Sequence, residues 1–337
     1  MSTLKPLIII LGPTSSGKTE MSLKLAKQYN GEIINADSRQ IYREMDIGTG
    51  APTVCHSESH RWLHSPPASQ YGINSGLWSL NAQKGSTGLP PQWSQQINNI
   101  PHYLFHVKNP NQKFSLSQYK KLAIKTIKDI QKRGKIPILV GGTGLYISAI
   151  VDNLEIPKAP PNKKIRERLE KHTGKYLFNK LKKVDLRSAG IIGENNKRKL
   201  VRALEVCEIT GEPFSSQQKK GKPLFDVLQI GIKTDREKLY KKIDKRVDKM
   251  IKTGLIEETK KLSRKYSPTL PAMSGIGYHE INSYLKNEMN LDDAIQKIKY
   301  RTHQYARRQM TWFKRNERIM WVRNYKEAKK MVKKFID

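Results

Sequence analysis

Residues 7–19 read LIIILGPTSSGKT, and this stretch decides the fold. The apolar run Leu7–Leu11 is typical of a strand buried in a parallel sheet. The pattern G-x-x-x-x-G-K-T that follows it, ahead of a helix, is that of a P-loop, whose backbone N–H groups and helix N-terminus bind phosphate. The predicted phosphate-binding residues are Gly12, Pro13, Thr14, Ser15, Ser16, Gly17, Lys18 and Thr19, with the Thr19 hydroxyl as a Mg²⁺ ligand.

Two further apolar strands with polar tips are predicted to lie beside the first. A strand at residues 32–34 ends in Asn35-Ala36-Asp37-Ser38, and a strand at residues 136–140 closes on Gly141-Gly142-Thr143-Gly144. Helical patterns separate the three strands, so the order is β-α-β…α-β-α. This order predicts an α/β fold, a P-loop NTPase-like parallel sheet flanked by helices.

The domain organisation follows from the remaining patterns. We predict a P-loop core over residues 1–155, a small all-helical insertion domain over 156–195, and the rest of the core over 196–337 with a basic, helical C-terminal region. Helices are expected at 18–29, 117–133, 197–210, 236–252, 255–266, 276–286 and 291–315, and strands also at 227–232 and 319–322.

Residues 53–98 differ from the rest of the chain. They hold two basic residues and one acidic residue and are rich in Ser, Pro, Gln, Asn and Gly. This composition predicts an insertion or long loop that is poorly ordered in part. Cys55, His56, His60 and His64 lie close together here as candidate zinc ligands, although their spacing matches no common structural site.

The charge of the chain is its unusual bulk property. Sixty-three Lys and Arg residues face 30 Asp and Glu, a formal net charge of +33. Such an excess favours a polyanionic partner, nucleic acid first and acidic lipid second, although a generally lysine-rich proteome would also explain it. The two cysteines form no disulfide framework and fit a cytoplasmic setting. No stretch is long and apolar enough to span a membrane, and nothing demands more than a monomer.

The position of one acid separates this chain from ordinary P-loop ATPases. In those enzymes a strand ends in an Asp that holds the Mg²⁺ water shell. Here the third strand ends in glycines and Thr143, and the acid follows the second strand as Asp37. Asp37 could act as a general base, or it could bind Mg²⁺ or cap a helix.

Six sequence blocks resemble one known family. GPTSSGKT, NADSRQIYREMDIGTG, PILVGGTGLYI, KRKLVRALEV, GIGYHE and RTHQYARRQMTWF occur in the order found in tRNA dimethylallyltransferases and cover most of residues 5–320. The resemblance implies transfer of a dimethylallyl group from its diphosphate to N6 of an adenosine in tRNA. That adenosine follows the anticodon on its 3′ side, in tRNAs that read codons beginning with U. The implied cofactor is Mg²⁺, and the implied partner is the anticodon stem-loop of tRNA.

The resemblance also assigns roles to residues. Asp37 is implied as the base that takes the proton of the adenine amino group, with Thr143 and Arg246 at the reacting end and the diphosphate. The implied tRNA-binding residues are Asp37, Ser38, Arg39, Gln40, Arg198, Lys199, Arg202, Gly277, Tyr278, Arg301 and Arg308. Departures from the family pattern, such as DIGTGAP in place of DIGTAKP, affect the details of tRNA contact more than the chemistry.

Three other interpretations stay open on residue types. A nucleotide or metabolite kinase would need an acid serving Mg²⁺ and a set of lid arginines, for which Asp37 and Arg246 could be mistaken. A basic nucleic-acid-binding NTPase would need an Asp at the end of a strand, which the third strand lacks. An isopentenyl transferase acting on a free nucleotide should not need two clusters of basic residues.

Overall fold

A computed structural model describes residues 4–52, 94–217 and 219–337. A seven-stranded sheet has the order β3-β4-β2-β5-β1-β6-β7, and all neighbours are parallel except β3 and β4. Its strands are β1 (Pro6–Leu11), β2 (Gly31–Asn35), β3 (Ser94–Ile97), β4 (Ile100–Tyr103), β5 (Ile136–Gly141), β6 (Asp226–Ile232) and β7 (Ile319–Val322). The predicted α/β class with a mainly parallel sheet is therefore confirmed.

Twelve helices accompany the sheet in the described residues. They are α1 (Lys18–Gln28), α2 (Leu116–Lys132), α3 (Gly144–Val151), α4 (Lys163–Glu170), α5 (Gly174–Val184), α6 (Leu186–Ile192), α7 (Lys197–Thr210), α8 (Arg236–Lys252), α9 (Leu255–Lys265), α10 (Tyr278–Leu285), α11 (Leu291–Phe313) and α12 (Tyr325–Ile336). Local sequence fixes several starts. Ser115 and Gln118 form a capping box on α2, and the Asp235 carboxylate accepts from two N–H groups of α8.

The chain divides into two compact units. One comprises Met1–Ile147 and Phe225–Asp337, and the other is Ser148–Leu224. The second unit is larger than the predicted insertion at residues 156–195. Helix α7, which we had assigned to the core, belongs to it because Leu200 and Leu204 pack in the same cluster as Leu177.

The central strands hold the core of the first unit. Every residue from Leu7 to Leu11 is 0% exposed, as expected for a strand with neighbours on both sides. Helix α12 covers part of this core through Ala328 and Val332. The sequence patterns did not predict α12.

The segment predicted as an insertion, residues 53–98, is described in part. Ser94–Ile97 form β3, which pairs antiparallel with β4, so the end of this segment belongs to the sheet. Residues 53–93, including Cys55, His56, His60 and His64, lie outside the described residues. Within the described ranges, no group of three or more His, Cys, Asp or Glu side chains could hold a metal. No helix in those ranges is both long and apolar enough to cross a bilayer.

A buried ion pair joins the sheet to α2. Glu32 on β2 has a side chain 1% exposed, and its two oxygens accept from Arg133 at 2.5 and 2.7 Å. Tyr103 and Lys135 also contact this carboxylate. Burial opposes ionisation of Glu32, but these partners outweigh it and lower its pKa.

Replacing Arg133 tests this interaction. We expect Arg133→Met to lower the free energy of unfolding by about 3 kcal/mol near neutral pH, because the buried carboxylate loses its main partner. The folded-state pKa of Glu32 is lowered, so its stabilising contribution exists above the ordinary Glu pKa and is lost as pH falls through the lowered value. The difference in the free energy of unfolding between wild type and Arg133→Met should therefore become smaller at acid pH.

Urea unfolding of wild type, Arg133→Met and Lys132→Met at a series of pH values measures this. Lys132 is exposed at the end of the same helix and serves as the matched control. A deficit in Arg133→Met that stays constant from neutral to acid pH would mean that Arg133 acts through packing alone.

Candidate active site

Three loops meet where β2, β5 and β1 end. These strands are adjacent and parallel, so their carboxyl ends lie at one edge of the sheet, where α/β folds bind ligands. The contact between the loops is close, because a Cβ on Gly141 would overlap the carbonyl of Ala36. The N–H of Ala36 donates to Val140 O at 2.7 Å, and the N–H of Thr143 donates to Ala36 O at 3.1 Å. The turn that carries Asp37 is thereby fixed beside Thr143.

The P-loop has the backbone and the free polar groups of an anion site. Gly17 has φ 94° and Ser15 has φ 61°, a curled conformation in which successive N–H groups can converge. The hydroxyl oxygens of Ser15 and Ser16 are buried, and neither has a hydrogen-bond partner among the residues that the structure describes. Buried polar groups are normally paired, so these hydroxyls fit a ligand that brings hydrogen-bonding oxygens, such as a phosphate.

Lys18 lies inside this loop. Its Nζ donates to Pro13 O at 2.7 Å. Burial lowers the pKa of Lys18 to about 8; the charge of Arg246 also lowers it, and that of Asp37 opposes the change. An anion bound in the loop would favour the charged amine and raise this pKa again.

Asp37 is held by its own turn. Its N–H donates to the Asn35 side chain at 2.8 Å, and its Oδ1 accepts from the Arg39 N–H at 2.9 Å. Asn35 is itself fixed, since its side-chain amide donates to Leu104 O and its backbone carbonyl accepts from the Tyr119 hydroxyl. Within the described residues the Asp37 carboxylate accepts its hydrogen bond through Oδ1, which leaves Oδ2 as the oxygen that can take a proton.

Thr143, in the loop after β5, is hydrogen-bonded to the loop after β2. Its Oγ1 accepts from the Ser38 N–H at 3.0 Å and lies 3.3 Å from the Ser38 hydroxyl. Tyr305 on α11 lies close enough to Thr143 to interact with it. Burial raises the pKa of Tyr305, and the nearby charge of Asp37 adds to the effect, so this phenol stays protonated.

Arg246 reaches the P-loop from α8. One guanidinium nitrogen donates to Thr14 Oγ1 at 3.3 Å, and another donates to Thr49 O at 3.1 Å. Gly50, with φ 58°, leaves the room for this side chain, because a Cβ there would overlap the guanidinium. Burial lowers the pKa of Arg246, against the attraction of Asp37.

A second acid, Glu258 on α9, organises the loop that receives Arg246. Its carboxylate accepts from the N–H groups of Asp46, Ile47 and Gly48 at 2.8 to 3.0 Å. It also accepts from the Tyr278 hydroxyl at 2.7 Å. Glu258 was not predicted from the sequence, because a Glu at the start of a charged helix gives no sign that it binds a distant loop.

Tyr278 was predicted to contact tRNA, and its side chain lies in the interior of the first unit. The side chain is 1% exposed and packs in the cluster formed by α8, α9, α10 and α11. Its ring lies against Gly48, and its hydroxyl is bound to Glu258. Tyr278 therefore supports the loop after Met45, and its side chain is not at the surface.

The other predicted tRNA-binding residues fall into two groups. Arg198, Lys199 and Arg308 are exposed. The others make bonds within their own unit: Ser38 with Thr143, Arg39 with Pro271 O, Gln40 with Gly50 O, Arg202 with Glu205 and Ala159 O, Gly277 with Glu280, and Arg301 with Glu280. Glu205 and Glu280 are both fully buried, so Arg202 and Arg301 neutralise interior carboxylates.

Comparisons with known proteins show the family of the chain. A family model described as IPP transferase matches residues 89–316, and one described as isopentenyl transferase matches residues 5–73. The chain belongs to the IPP transferase family. It is 39% identical to the tRNA dimethylallyltransferase of Thermoanaerobacter pseudethanolicus, over 98% of this chain and 97% of the relative. It is 40% identical to that of Halothermothrix orenii, over 98% of this chain and 93% of the relative.

Solved structures in the IPP transferase family show the same fold. The tRNA isopentenylpyrophosphate transferase of Bacillus halodurans superposes with a TM-score of 0.65 at 32% identity, over 98% of this chain and 95% of that one. A eukaryotic dimethylallyltransferase described as acting on tRNA gives 0.68 at 28% identity, over 91% of this chain and 69% of that one. The predicted family is therefore confirmed.

Two site residues on α11, Tyr305 and Gln309, were not predicted. Neither residue was assigned a role from the sequence. Their spacing is the available signal, because Arg301, Tyr305 and Gln309 stand four residues apart on one helix face. Spacing alone does not show that this face meets polar loops.

The lowered pKa of Lys18 predicts how anion binding depends on pH. We expect the affinity for inorganic diphosphate to fall as pH rises above about 8, because the free protein loses the Lys18 charge there. Lys18→Met should bind more weakly at lower pH and lack this dependence. Titration calorimetry at several pH values measures both affinities.

Diphosphate itself titrates in this pH range, but it does so equally for both proteins. The ratio of the wild-type affinity to the Lys18→Met affinity therefore removes this effect. Lys24 is exposed on the same helix, so Lys24→Met is the matched control. Its affinity for diphosphate should depend on pH as that of wild type does. Parallel pH curves for wild type and Lys18→Met would show that Lys18 does not titrate in this range.

Proposed function

We propose that this protein transfers a dimethylallyl group from dimethylallyl diphosphate to tRNA, at N6 of the adenosine that follows the anticodon on its 3′ side. The substrates would be tRNAs that read codons beginning with U. The observation that carries the proposal is the position of Asp37. It stands beside the P-loop with Oδ2 available, while β5, the strand next to β1, ends at Gly141 and is followed by a loop that carries Thr143. Relatives of similar length are named tRNA dimethylallyltransferases, which supports the same activity.

The reaction requires removal of a proton from a weak nucleophile. The lone pair of an adenine amino group is delocalised into the ring, so the nitrogen attacks well only as its proton leaves. Asp37 Oδ2 takes that proton as N6 bonds to C1 of the dimethylallyl group. The bond between C1 and its oxygen breaks, and the diphosphate leaves with the electron pair.

The charge that develops on the diphosphate is matched by groups already in place. These groups are the N–H groups of the P-loop, the Lys18 amine and the Arg246 guanidinium. They are already held at the P-loop, so they need not reorganise during the reaction. Asp37 also lowers the net positive charge of the free site, since it interacts with both cations. The same groups that bind the substrate therefore stabilise its leaving group.

The proposal includes Mg²⁺ as the cofactor. Thr19 is exposed at the start of α1 and offers one hydroxyl oxygen, and the described residues form no acidic cage for a metal. This donor set fits an ion that is bound mainly through substrate phosphates, as Mg²⁺ often is. Such an ion would supply further neutralisation of the diphosphate.

Exposed cations are proposed to bind the RNA. Arg198 and Lys199 on α7, and Arg308 on α11, are free to meet phosphates of the anticodon stem-loop. The target adenosine must leave its stack for N6 to reach Asp37. We further propose that the protein acts as a monomer in the cytoplasm.

The decisive assay supplies both substrates to a variant of the base. Asp37→Asn keeps the shape of the side chain but cannot accept the proton, so the transfer rate should fall by about 10²- to 10⁴-fold. Binding of dimethylallyl diphosphate should be nearly unchanged. Mass spectrometry of the anticodon loop and calorimetry measure the two quantities.

Asp292→Asn, an exposed residue in the first turn of α11, is the matched control and should retain activity. Loss of diphosphate binding in Asp37→Asn would make Asp37 a metal-binding or structural residue. ATP turnover by wild type without any transfer to tRNA would favour a kinase or an NTPase.

A further inference from the structure

A single buried amide bridges two of the three loops of the active site. Gln309 on α11 is 5% exposed. Its Oε1 accepts from the Thr14 N–H at 2.9 Å, and its Nε2 donates to Gly142 O at 2.9 Å. The partners fix the orientation of the amide, because a backbone N–H can only donate and a carbonyl can only accept.

The neighbouring residues leave space for the Gln309 side chain and restrain Thr14. A Cβ on Gly142 would overlap Nε2 of Gln309, so the glycine leaves the space that the side chain occupies. Thr14 is held from two sides, by Gln309 at its N–H and by Arg246 at its hydroxyl. The start of the P-loop therefore has little freedom to turn.

The two bridged loops have different tasks in the proposed reaction. The P-loop would hold the leaving diphosphate, and the loop after β5 carries Thr143, which fixes the turn of Asp37 through Ser38. A group that ties these loops together sets the distance between the leaving group and the base. Helix α11 supplies that group and does not itself have to touch the reacting atoms.

We propose that Gln309 is a positioning residue that holds the P-loop in register with the loops bearing Thr143 and Asp37. This inference rests on the proposed function for its effect on rate. Its structural content, the restraint of the Thr14 N–H, does not depend on that function. The two can therefore be tested separately.

The first test removes both hydrogen bonds. Gln309→Met keeps a similar length and volume but offers no donor, and we expect kcat to fall about 100-fold, as misplacement of reacting groups by about 1 Å can cause. The KM values for both substrates should change less than about threefold, because the ligand-binding groups remain. Gln304→Met on the same helix is the matched control and should behave as wild type.

The second test makes the bridge depend on pH. In Gln309→Glu the carboxylate can still accept from Thr14 but repels the carbonyl of Gly142, whereas the protonated acid can donate to it. The ratio of variant to wild-type activity should therefore rise as pH falls. Lys18, Asp37 and Arg246 are the charged groups around these loops, and they are the same in both proteins. A role in packing alone would give a flat ratio.

A third measurement needs no catalysis. Hydrogen exchange of the Thr14 amide, read on P-loop peptides by mass spectrometry, should be at least about tenfold faster in Gln309→Met than in wild type. Unchanged exchange, or wild-type kcat in Gln309→Met, would overturn the inference. Absence of transfer by wild type, with exchange still accelerated in the variant, would instead overturn the proposed function. If Gln309→Met fails to fold, the pH profile and the exchange rate of Gln309→Glu decide the question.

Discussion

The contact of Gly141 with the backbone of Ala36 is the constraint on which the active site depends. Parallel pairing of β2 with β5, and of β5 with β1, brings three loops to one edge of the sheet. Only a residue without a side chain allows the loops after β2 and β5 to touch, since a Cβ on Gly141 would overlap the Ala36 carbonyl. The backbone bonds made there place Asp37 beside Thr143, and Gln309 extends the same restraint to the P-loop.

The charges of the site follow from this packing. Lys18 and Arg246 are brought together out of water, so burial lowers the pKa of each cation, and Asp37 opposes the change in both. Such an arrangement is unfavourable by itself and becomes favourable when an anion is bound. The buried hydroxyls of Ser15 and Ser16 support the same conclusion, because they have no hydrogen-bond partner in the described part of the chain and a phosphate would supply one. In the proposed function, binding of the diphosphate and stabilisation of the leaving group thus have one physical origin.

The sequence predicted what is local or periodic. The bounds of α7 and α8 match those expected from their apolar spacing and caps, and the P-loop pattern with its flanking strand and helix predicted β1 and α1. Tertiary features were not readable. Glu258 and Gln309 are polar residues on helices rich in polar residues, and only packing shows that each one binds a distant loop. The burial of Tyr278 was unreadable for the same reason, since its motif gave no measure of packing.

The central claim is that the phosphates in the P-loop leave and are not transferred. Dimethylallyl diphosphate carrying ¹⁸O in the oxygen that joins C1 to phosphorus tests this directly, with unmodified tRNA as the acceptor and mass spectrometry of the products as the measurement. Cleavage of the carbon–oxygen bond predicts that the released diphosphate retains the label while the tRNA gains the dimethylallyl group. Label recovered in dimethylallyl alcohol, with unlabelled phosphate products, would show attack at phosphorus and contradict the account.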